Sequence, residues 1–408
     1  MTAPASSREP FQRLGNQQSP QKATKKVGIM TAHRPRLGRR SSWAGTAVSV
    51  VALLLAASAC GSESAESADA PVDNAGLEAA KATVAKAAVR PTTITVTTPI
   101  DKPIPTGKKI TFVSCGVEAC AIQGPILAEA AATLGWTVDQ VATDGSPEKV
   151  QGAIDAAIRN GSDAVILNAA DKDAYAKQIA DAAAAGVEFV TCCSLATAGD
   201  GLLYNTATDK QNGPIGDNLA AEVVSNSGGK ADALYVNISA FQILAQVGAT
   251  FEEGMKKYCP SCSVDSIDIP LTSLGKDAPD RIISYLRSHP DVNYLALSVT
   301  DALGAGLPAA LKAAGLSDKV TIVGQGGGSQ NFADMTAGDI DALVPFDAYS
   351  VDYLMIDALA RKWAGVPLVD ATQPYWLVKK DTMPADTSKP FPLVADYEAQ
   401  FKALWGKS

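Results

Sequence analysis

The sequence predicts an α/β protein built as two doubly wound parallel-sheet lobes. Three observations carry this reading. Short apolar runs rich in β-branched and aromatic residues alternate with Ala-rich stretches of helical spacing through residues 109–193, the pattern of strands buried on both faces and their crossover helices. A second series of the same kind runs from residue 202 to 363. Together the two series span 255 residues, more than one hydrophobic core comfortably organises.

The chain opens with residues that stand outside this pattern. An apolar run at 48–59 follows Arg34, Arg36, Arg39 and Arg40 and ends in small residues just before Cys60. It is short for a membrane span and reads as a secretory signal peptide. Ala57-Ser58-Ala59-Cys60 resembles a bacterial lipobox, so lipidation is expected at Cys60, with ordinary cleavage as the rival. Translation from Met1 or from Met30 both fit; Met30 gives the more ordinary signal, and residues 1–29 are then an extension. Residues 60–106, rich in Ala, Ser, Glu and Asp, read as a lipidated flexible tether with room for a helix at 76–88.

Charge divides in the same place. Residues 1–59 hold nine Lys/Arg and one acidic residue, which leaves 26 basic and 42 acidic residues beyond, a net charge of −16. So acidic a surface, without a basic patch, excludes nucleic acid as a main partner.

Strands are expected at 110–114, 137–142, 163–167, 187–192 and 202–206, each an apolar run bounded by Gly or polar residues. Helices are expected at 122–134, 147–159 and 174–185, stopped by Gly135, Gly161 and Gly186 as left-handed caps. Pro147 suits the first turn of its helix. The second series continues with strands at 231–238, 264–269, 294–299, 320–324 and 340–344. Its helices fall at 213–225, 241–257, 278–288, 302–314, 330–337 and 349–363. Crossings between lobes are expected near 208–210, at Pro345 and near 372–374, and such interruptions suit a hinge. The resulting division is a first lobe of 107–209 plus 346–371, a second of 210–345 plus 372–380, and a tail at 381–408 with a short helix. In doubly wound sheets the ligand lies at the carboxyl ends of the strands, which points to 115–120, 168–171 and 192–194.

The order and content of these segments resemble a type I periplasmic binding protein of the ribose-binding branch. The resemblance rests on residues 109–113, GSDAVILNAADKD at 161–173, 185–191, GATFEEG at 248–254, HPDVNYLALSVTDALGAGL at 289–307, VTIVGQGGG at 320–328 and 335–343. It implies two lobes joined by three crossings, closing on a small molecule and delivering it to an ABC transporter permease. Sugar-binding members use an Asp-Arg pair after the fourth strand and an Arg on the first helix of the second lobe. They add an Asn before an Asp, an Asp in the VGFD-type turn, and a Gln near the third crossing. This chain offers Cys193 and Ser194, Ala245 or Gln246, Val299 or Thr300, Gly326, and Phe346 at those places, and Cys120 and Ala121 for the aromatic pair after the first strand. Nearly every charged sugar contact is absent. A pocket so lined suits a ligand less polar than a free sugar, held by few polar groups. Glu118, Asn168, Gln242, Gln246, Asp301 and Gln325 are the candidates for those groups, with Cys115, Cys120, Cys193, Ser194, Thr300, Gly326 and Phe346 completing the predicted lining.

Beyond Cys60 lie six cysteines, Cys115, Cys120, Cys192, Cys193, Cys259 and Cys262, an even number suited to disulfides in an oxidising compartment. Cys259-Pro260-Ser261-Cys262 follows a helix, where a redox pair would start one, so a structural clip across a turn is expected. Cys115–Cys120 is expected to close on itself or to bond Cys192 or Cys193. With His289 the one histidine beyond the signal region, neither a metal site nor a Ser-His-Asp arrangement is expected. The Gly324–Gly328 loop lacks the Lys of a phosphate-binding loop and suits close backbone packing. No cofactor is expected, and the protein is read as a monomer without catalytic activity. Its expected role is solute capture for an importer from the outer face of the cytoplasmic membrane. A monosaccharide-binding protein and a ligand-presenting sensor are the alternatives.

Overall fold

The computed structural model describes residues 73–407 apart from 117 and 170; the apolar run at 48–59 and Cys60 lie outside the described residues. Helix α1 (Asn74–Ala87) comes first, capped by the Asp73 carboxylate, which accepts from the Ala75 and Gly76 amides. Next come β1 (Lys109–Val113), α2 (Glu118–Ala121), α3 (Gln123–Thr133), β2 (Thr137–Val141), α4 (Pro147–Arg159), β3 (Ala164–Asn168), α5 (Ala176–Ala184), β4 (Glu188–Cys192) and β5 (Leu202–Thr206). The chain then runs through α6 (Asp209–Ser227), β6 (Asp232–Asn237), α7 (Gln242–Tyr258), β7 (Ser263–Asp268), α8 (Ala278–Ser288) and β8 (Tyr294–Leu297). It ends with α9 (Thr300–Leu303), α10 (Leu307–Ala314), β9 (Thr321–Gln325), α11 (Ser329–Ala337), β10 (Ala342–Val344), α12 (Ala348–Ala364), β11 (Val378–Lys379) and α13 (Tyr397–Leu404).

Two sheets result. The first has the order β2-β1-β3-β4-β5 and is parallel throughout. The second has the order β11-β10-β9-β8-β6-β7 and is parallel except for β11. That antiparallel edge strand was not expected from the sequence; two residues are too few to show a period. The helix expected at 302–314 is split, because Gly306 turns left-handed at φ 74° between α9 and α10. The helix expected from 213 starts at Asp209 instead, where the Gln211 side chain accepts from the Thr208 amide and supplies a start signal.

Each sheet is covered on both faces. In the first lobe Phe112, Ile166 and Val190 pack with Leu127, Tyr353 and Phe401, while Val113, Val165 and Phe189 pack with Ile154 and Ile179. In the second, Val236, Leu295 and Leu297 meet Ile282, Leu311 and Phe332, and Tyr235, Ala296 and Val323 meet residues of α6 and α7.

The tether expected over 60–106 is corrected from residue 73 onward. Ala80 of α1 is buried in the core formed with α6 and α7, and Thr83 Oγ1 lies 3.0 Å from the Tyr258 hydroxyl. Gly76 allows this approach, since a Cβ there would lie 2.2 Å from the Tyr258 carbonyl oxygen. Ile94, Val96 and Ile100 are buried in the first lobe's core, and Arg90 donates to the Leu393 and Pro392 carbonyls. Composition hid these few apolar residues among Ala and Thr.

The chain crosses between lobes after β5, after β10 and between α12 and β11. One side chain ties the three crossings. Gln373 accepts from the Asp347 amide (3.1 Å) and donates to Asn212 Oδ1 (2.8 Å), and Asn212 donates to the Ala207 carbonyl (2.9 Å). Because β5 and β10 both run into crossings from their carboxyl ends, those ends of both sheets face the crossings.

Candidate functional site

The carboxyl edge of the first sheet is closed on itself. A disulfide joins Cys115 and Cys120 across the loop after β1, with Cα atoms 5.8 Å apart. Asn168, at the end of β3, accepts from the Cys115 amide (3.1 Å) and donates to the Cys120 carbonyl and to Gln123 Oε1. Gln123 in turn donates to Asp352 Oδ1 (2.9 Å) and lies 3.8 Å from the Cys192 sulfur. Asn168, predicted as a ligand contact, is thus a brace for this loop, 1% exposed, with both ends of its amide used inside the protein. Gly116, at φ 92°, fits because a Cβ there would lie 2.4 Å from the Gly145 nitrogen.

Of the two expected arrangements the loop takes the first and closes on itself, and Cys192 and Cys193 are both thiols, 2.6 Å apart at sulfur. Burial, then Cys192 and Asp352, push the Cys193 thiol well up, so it offers no reactive thiolate. Burial also holds Asp352 well above the carboxylate range, with Cys192 and Asp347 adding to the effect against the Gln123 hydrogen bond. The Ser194 carbonyl accepts from Asn205 (3.1 Å).

The second sheet's edge differs. Asn237 ends β6, Ser298 follows β8, and Gln325 ends β9. The register pairs Val236 with Leu297 and Leu297 with Gly324, so these three residues form one row across adjacent strands. They share the sheet face of Tyr235, Ala296 and Val323, two residues earlier. Asn237 Oδ1, Ser298 Oγ and Gln325 Oε1 are each buried without a hydrogen bond. Asn237 uses its amide on Asp268 (2.7 Å). The Tyr235 hydroxyl donates to the Leu244 carbonyl (2.7 Å) and is a protein group within reach of the Ser298 hydroxyl. Buried polar atoms of this kind call for an explanation, and a role in meeting a bound solute is one.

Two predicted contacts serve the loop beside this row. Thr300 is buried and donates to the Gln325 carbonyl (2.8 Å). Asp301 accepts from the amides of Gly328 (2.7 Å) and Gly327 (3.4 Å). A Cβ on Gly326, at φ 132°, would fall 2.6 Å from Asp301 Oδ2. The glycine run is thus a tightly braced turn, and Thr300 and Asp301 are positioning residues within it. Gln242 and Gln246 sit a turn apart on α7, the first exposed and the second half-buried. Phe346 is half-buried on the crossing after β10, packed on the first lobe's core. The side chain of Glu118 lies outside what the structure describes. The structure places the predicted Gln325, Gly326, Thr300 and Asp301 side by side; Asn237 and Ser298 were not among the predicted residues. Their one signal is a polar residue closing an apolar strand run.

Elsewhere, Cys259 and Cys262 form the expected clip, and the Cys262 amide donates to the Cys259 carbonyl (3.0 Å) across the turn. His289 Nδ1 lies 3.0 Å from the Tyr285 carbonyl and caps the end of α8. A cavity of about 340 Å³ opens at the amino ends of β9 and β10, between Leu311, Met335, Asp341 and Lys380. It is at the wrong end of the strands for a cleft between lobes. Among the described residues no cluster of three or more His, Cys, Asp or Glu is placed to hold a metal ion, and no helix is long and apolar enough to cross a membrane.

Residues 124–366, more than half of the chain, match the family model for a periplasmic binding protein domain. The chain belongs to that family, whose members act outside the cytoplasm. No curated protein matches its sequence. Solved structures share its fold. A 5-methylthioribose transporter solute-binding protein from Thermotoga lettingae, in complex with 5-methylthioribose, is 20% identical with a TM-score of 0.63, over 75% of this chain and 98% of that one. A glucose-galactose binding protein from Geobacillus stearothermophilus is 16% identical with a TM-score of 0.60, over 69% of this chain and 100% of that one. A solute-binding protein from Agrobacterium vitis with bound α-D-tagatopyranose is 19% identical with a TM-score of 0.61, over 69% and 97%. At these identities the likeness establishes the fold.

Proposed function

We propose that this protein captures a small solute with one polar edge and one apolar face and delivers it to an ABC importer. The single observation that carries the reading is the row of Asn237, Ser298 and Gln325, three adjacent strand ends whose buried oxygens lack partners. A ligand presenting hydroxyl or amine donors along one edge satisfies all three. Its other face meets the first lobe, where Asn168 and Gln123 are spent on internal braces and Cys193 and Phe346 are half-buried. No Lys or Arg belongs to either set, so an anionic solute finds no counter-charge. The structural neighbours support the size of the ligand: one is a glucose-galactose binding protein, and two others hold tagatopyranose and 5-methylthioribose. The last, a ribose bearing a methylthio group, has the polar and apolar parts this cleft asks for.

Closure does the work. The lobes, 107–209 plus 346–371 and 210–345 plus 372–380, move as bodies about the Gln373 network, and the solute adds contacts made in the closed state alone. The lipid on Cys60 holds the monomer to the outer face of the membrane beside its permease. A thermal-shift screen of the full chain over monosaccharides, polyols, 5-methylthioribose and aromatic acids tests this, because a ligand that binds the folded state alone raises the midpoint. The largest rise is expected from a partly apolar solute. A larger rise with an ordinary pentose or hexose overturns the ligand class and favours a monosaccharide-binding protein.

A further inference from the structure

We propose that Cys192 and Cys193 are oxidised to a vicinal disulfide in the exported protein, forming a small covalent ring at the carboxyl end of β4. Their sulfurs are 2.6 Å apart. Non-bonded heavy atoms settle at about 3.5–4.0 Å, whereas a disulfide bond is about 2.05 Å; the pair is already inside the repulsive wall that bond formation removes. Sequence adjacency does not explain the approach. Successive side chains on a strand point to opposite faces, and a continued strand would keep these sulfurs apart. The backbone instead turns left-handed at Cys193, with φ 62°. That conformation is uncommon for a residue with a Cβ and brings Cys193 Sγ back toward Cys192 Sγ.

The surroundings agree. Among the described residues Cys192 and Cys193 are the two cysteines outside a disulfide, and the other four are paired within their own loops. Around Cys192 the Gln123 amide donates toward the sulfur, and the Asp352 carboxyl is near enough to interact with it. A disulfide sulfur has no hydrogen to place. Burial that keeps the folded Cys193 thiol protonated confines its attack to the emerging chain, before β4 is covered.

The step balances as two thiol–disulfide exchanges with an oxidant of the disulfide class, such as an exported thiol–disulfide oxidoreductase. The Cys193 thiolate attacks one oxidant sulfur, forming a mixed disulfide and releasing the other oxidant sulfur as thiolate. The Cys192 thiolate then attacks Cys193 Sγ and expels the second. The cysteines lose two electrons and two protons, and the oxidant leaves as a dithiol. In the folded protein the ring replaces two thiol donors beside Ser194 with a rigid sulfur face. That consequence, which rests on the cleft reading above, makes the first lobe's side of the site still less polar.

The test is peptide mapping of the full chain purified from an exporting host. Free thiols are alkylated under denaturing conditions without reductant, and the protein is then digested for mass spectrometry. The peptide containing Thr191–Ser194 is expected without an alkyl group and lighter than its dithiol form by two hydrogen atoms. After reduction it gains two alkyl groups. Alkylation of both Cys192 and Cys193 before reduction, or a bond from either to another cysteine, overturns the proposal. The map needs no ligand, so its failure leaves the reading of the cleft intact, and a failed ligand screen leaves the ring intact.

Discussion

The two cleft edges solve the same problem in opposite ways. Both end a parallel sheet with polar residues at the carboxyl ends of buried strands. In the first lobe those residues turn inward: Asn168 and Gln123 spend their amides on a disulfide-closed loop and on Asp352. In the second, Asn237, Ser298 and Gln325 keep oxygens free in one row. On the function proposed above, the first edge serves mainly stability, although Asn205 Oδ1 and Asp352 Oδ2 also lack partners there, and the second serves recognition. A buried polar group that is satisfied stabilises by little, but removing its partner costs more than the bond was worth. A group left unsatisfied costs stability until a ligand meets it. Mutations should therefore separate stability from affinity according to the lobe they strike.

The largest effect is expected from Asn168→Ala. It strands the Cys115 amide, the Cys120 carbonyl and the Gln123 side chain, and at roughly 1–3 kcal/mol for each buried group left unpaired the loss should reach about 3 kcal/mol or more. Denaturant unfolding of the variant checks this; a midpoint within error of the parent contradicts the brace.

Next comes pH. Burial pushes Asp347 up to about 6, against the hydrogen bonds it accepts from Ser350. The unfolded carboxyl titrates near ~3.9, so the folded state holds its proton longer. Stability from this group is complete below about pH 4 and is lost as pH rises through about 6, a decline of roughly 3 kcal/mol. Asp352, raised more strongly, acts with the same sign. Asp347→Asn should flatten the profile of unfolding free energy between those values. An unchanged slope would place the pH dependence elsewhere.

The two disulfides give a smaller, matched pair. Both close very short loops, Cys115–Cys120 with a separation of 5 and Cys259–Cys262 with a separation of 3. Chain entropy assigns each about 2 kcal/mol. Replacing either pair by Ser should cost that much in thermal unfolding, but the Cys115/Cys120 replacement alone should weaken solute binding, because its loop borders the cleft. Equal effects of both replacements on binding would remove that distinction.

Much of this was legible in the sequence. Strand 202–206 and helices 147–159 and 278–288 fall where periodicity, Pro and Gly signals put them. Apolar runs flanked by glycine need no tertiary information to be read. The site was harder. Asn168 looks like any polar strand end, and its role as a brace depends on Gln123, 45 residues away. Asn237 and Ser298 gain meaning from the register of β6 against β8, which no local pattern encodes. The apolar residues that dock 73–106 were too few to stand out from an Ala-rich background.

The most direct measurement is calorimetry of Ser298→Ala and Gln325→Ala against the parent, using whichever screened solute raises the parent's midpoint most. Each substitution removes an oxygen that has no partner in the protein, so stability should hold or rise by up to about 1 kcal/mol. Affinity should fall about tenfold or more, the loss of ~1.4 kcal/mol or more at the ligand. Unchanged affinity in both variants, or a collapse in stability with binding intact, would contradict the assignment of recognition to the second lobe's edge.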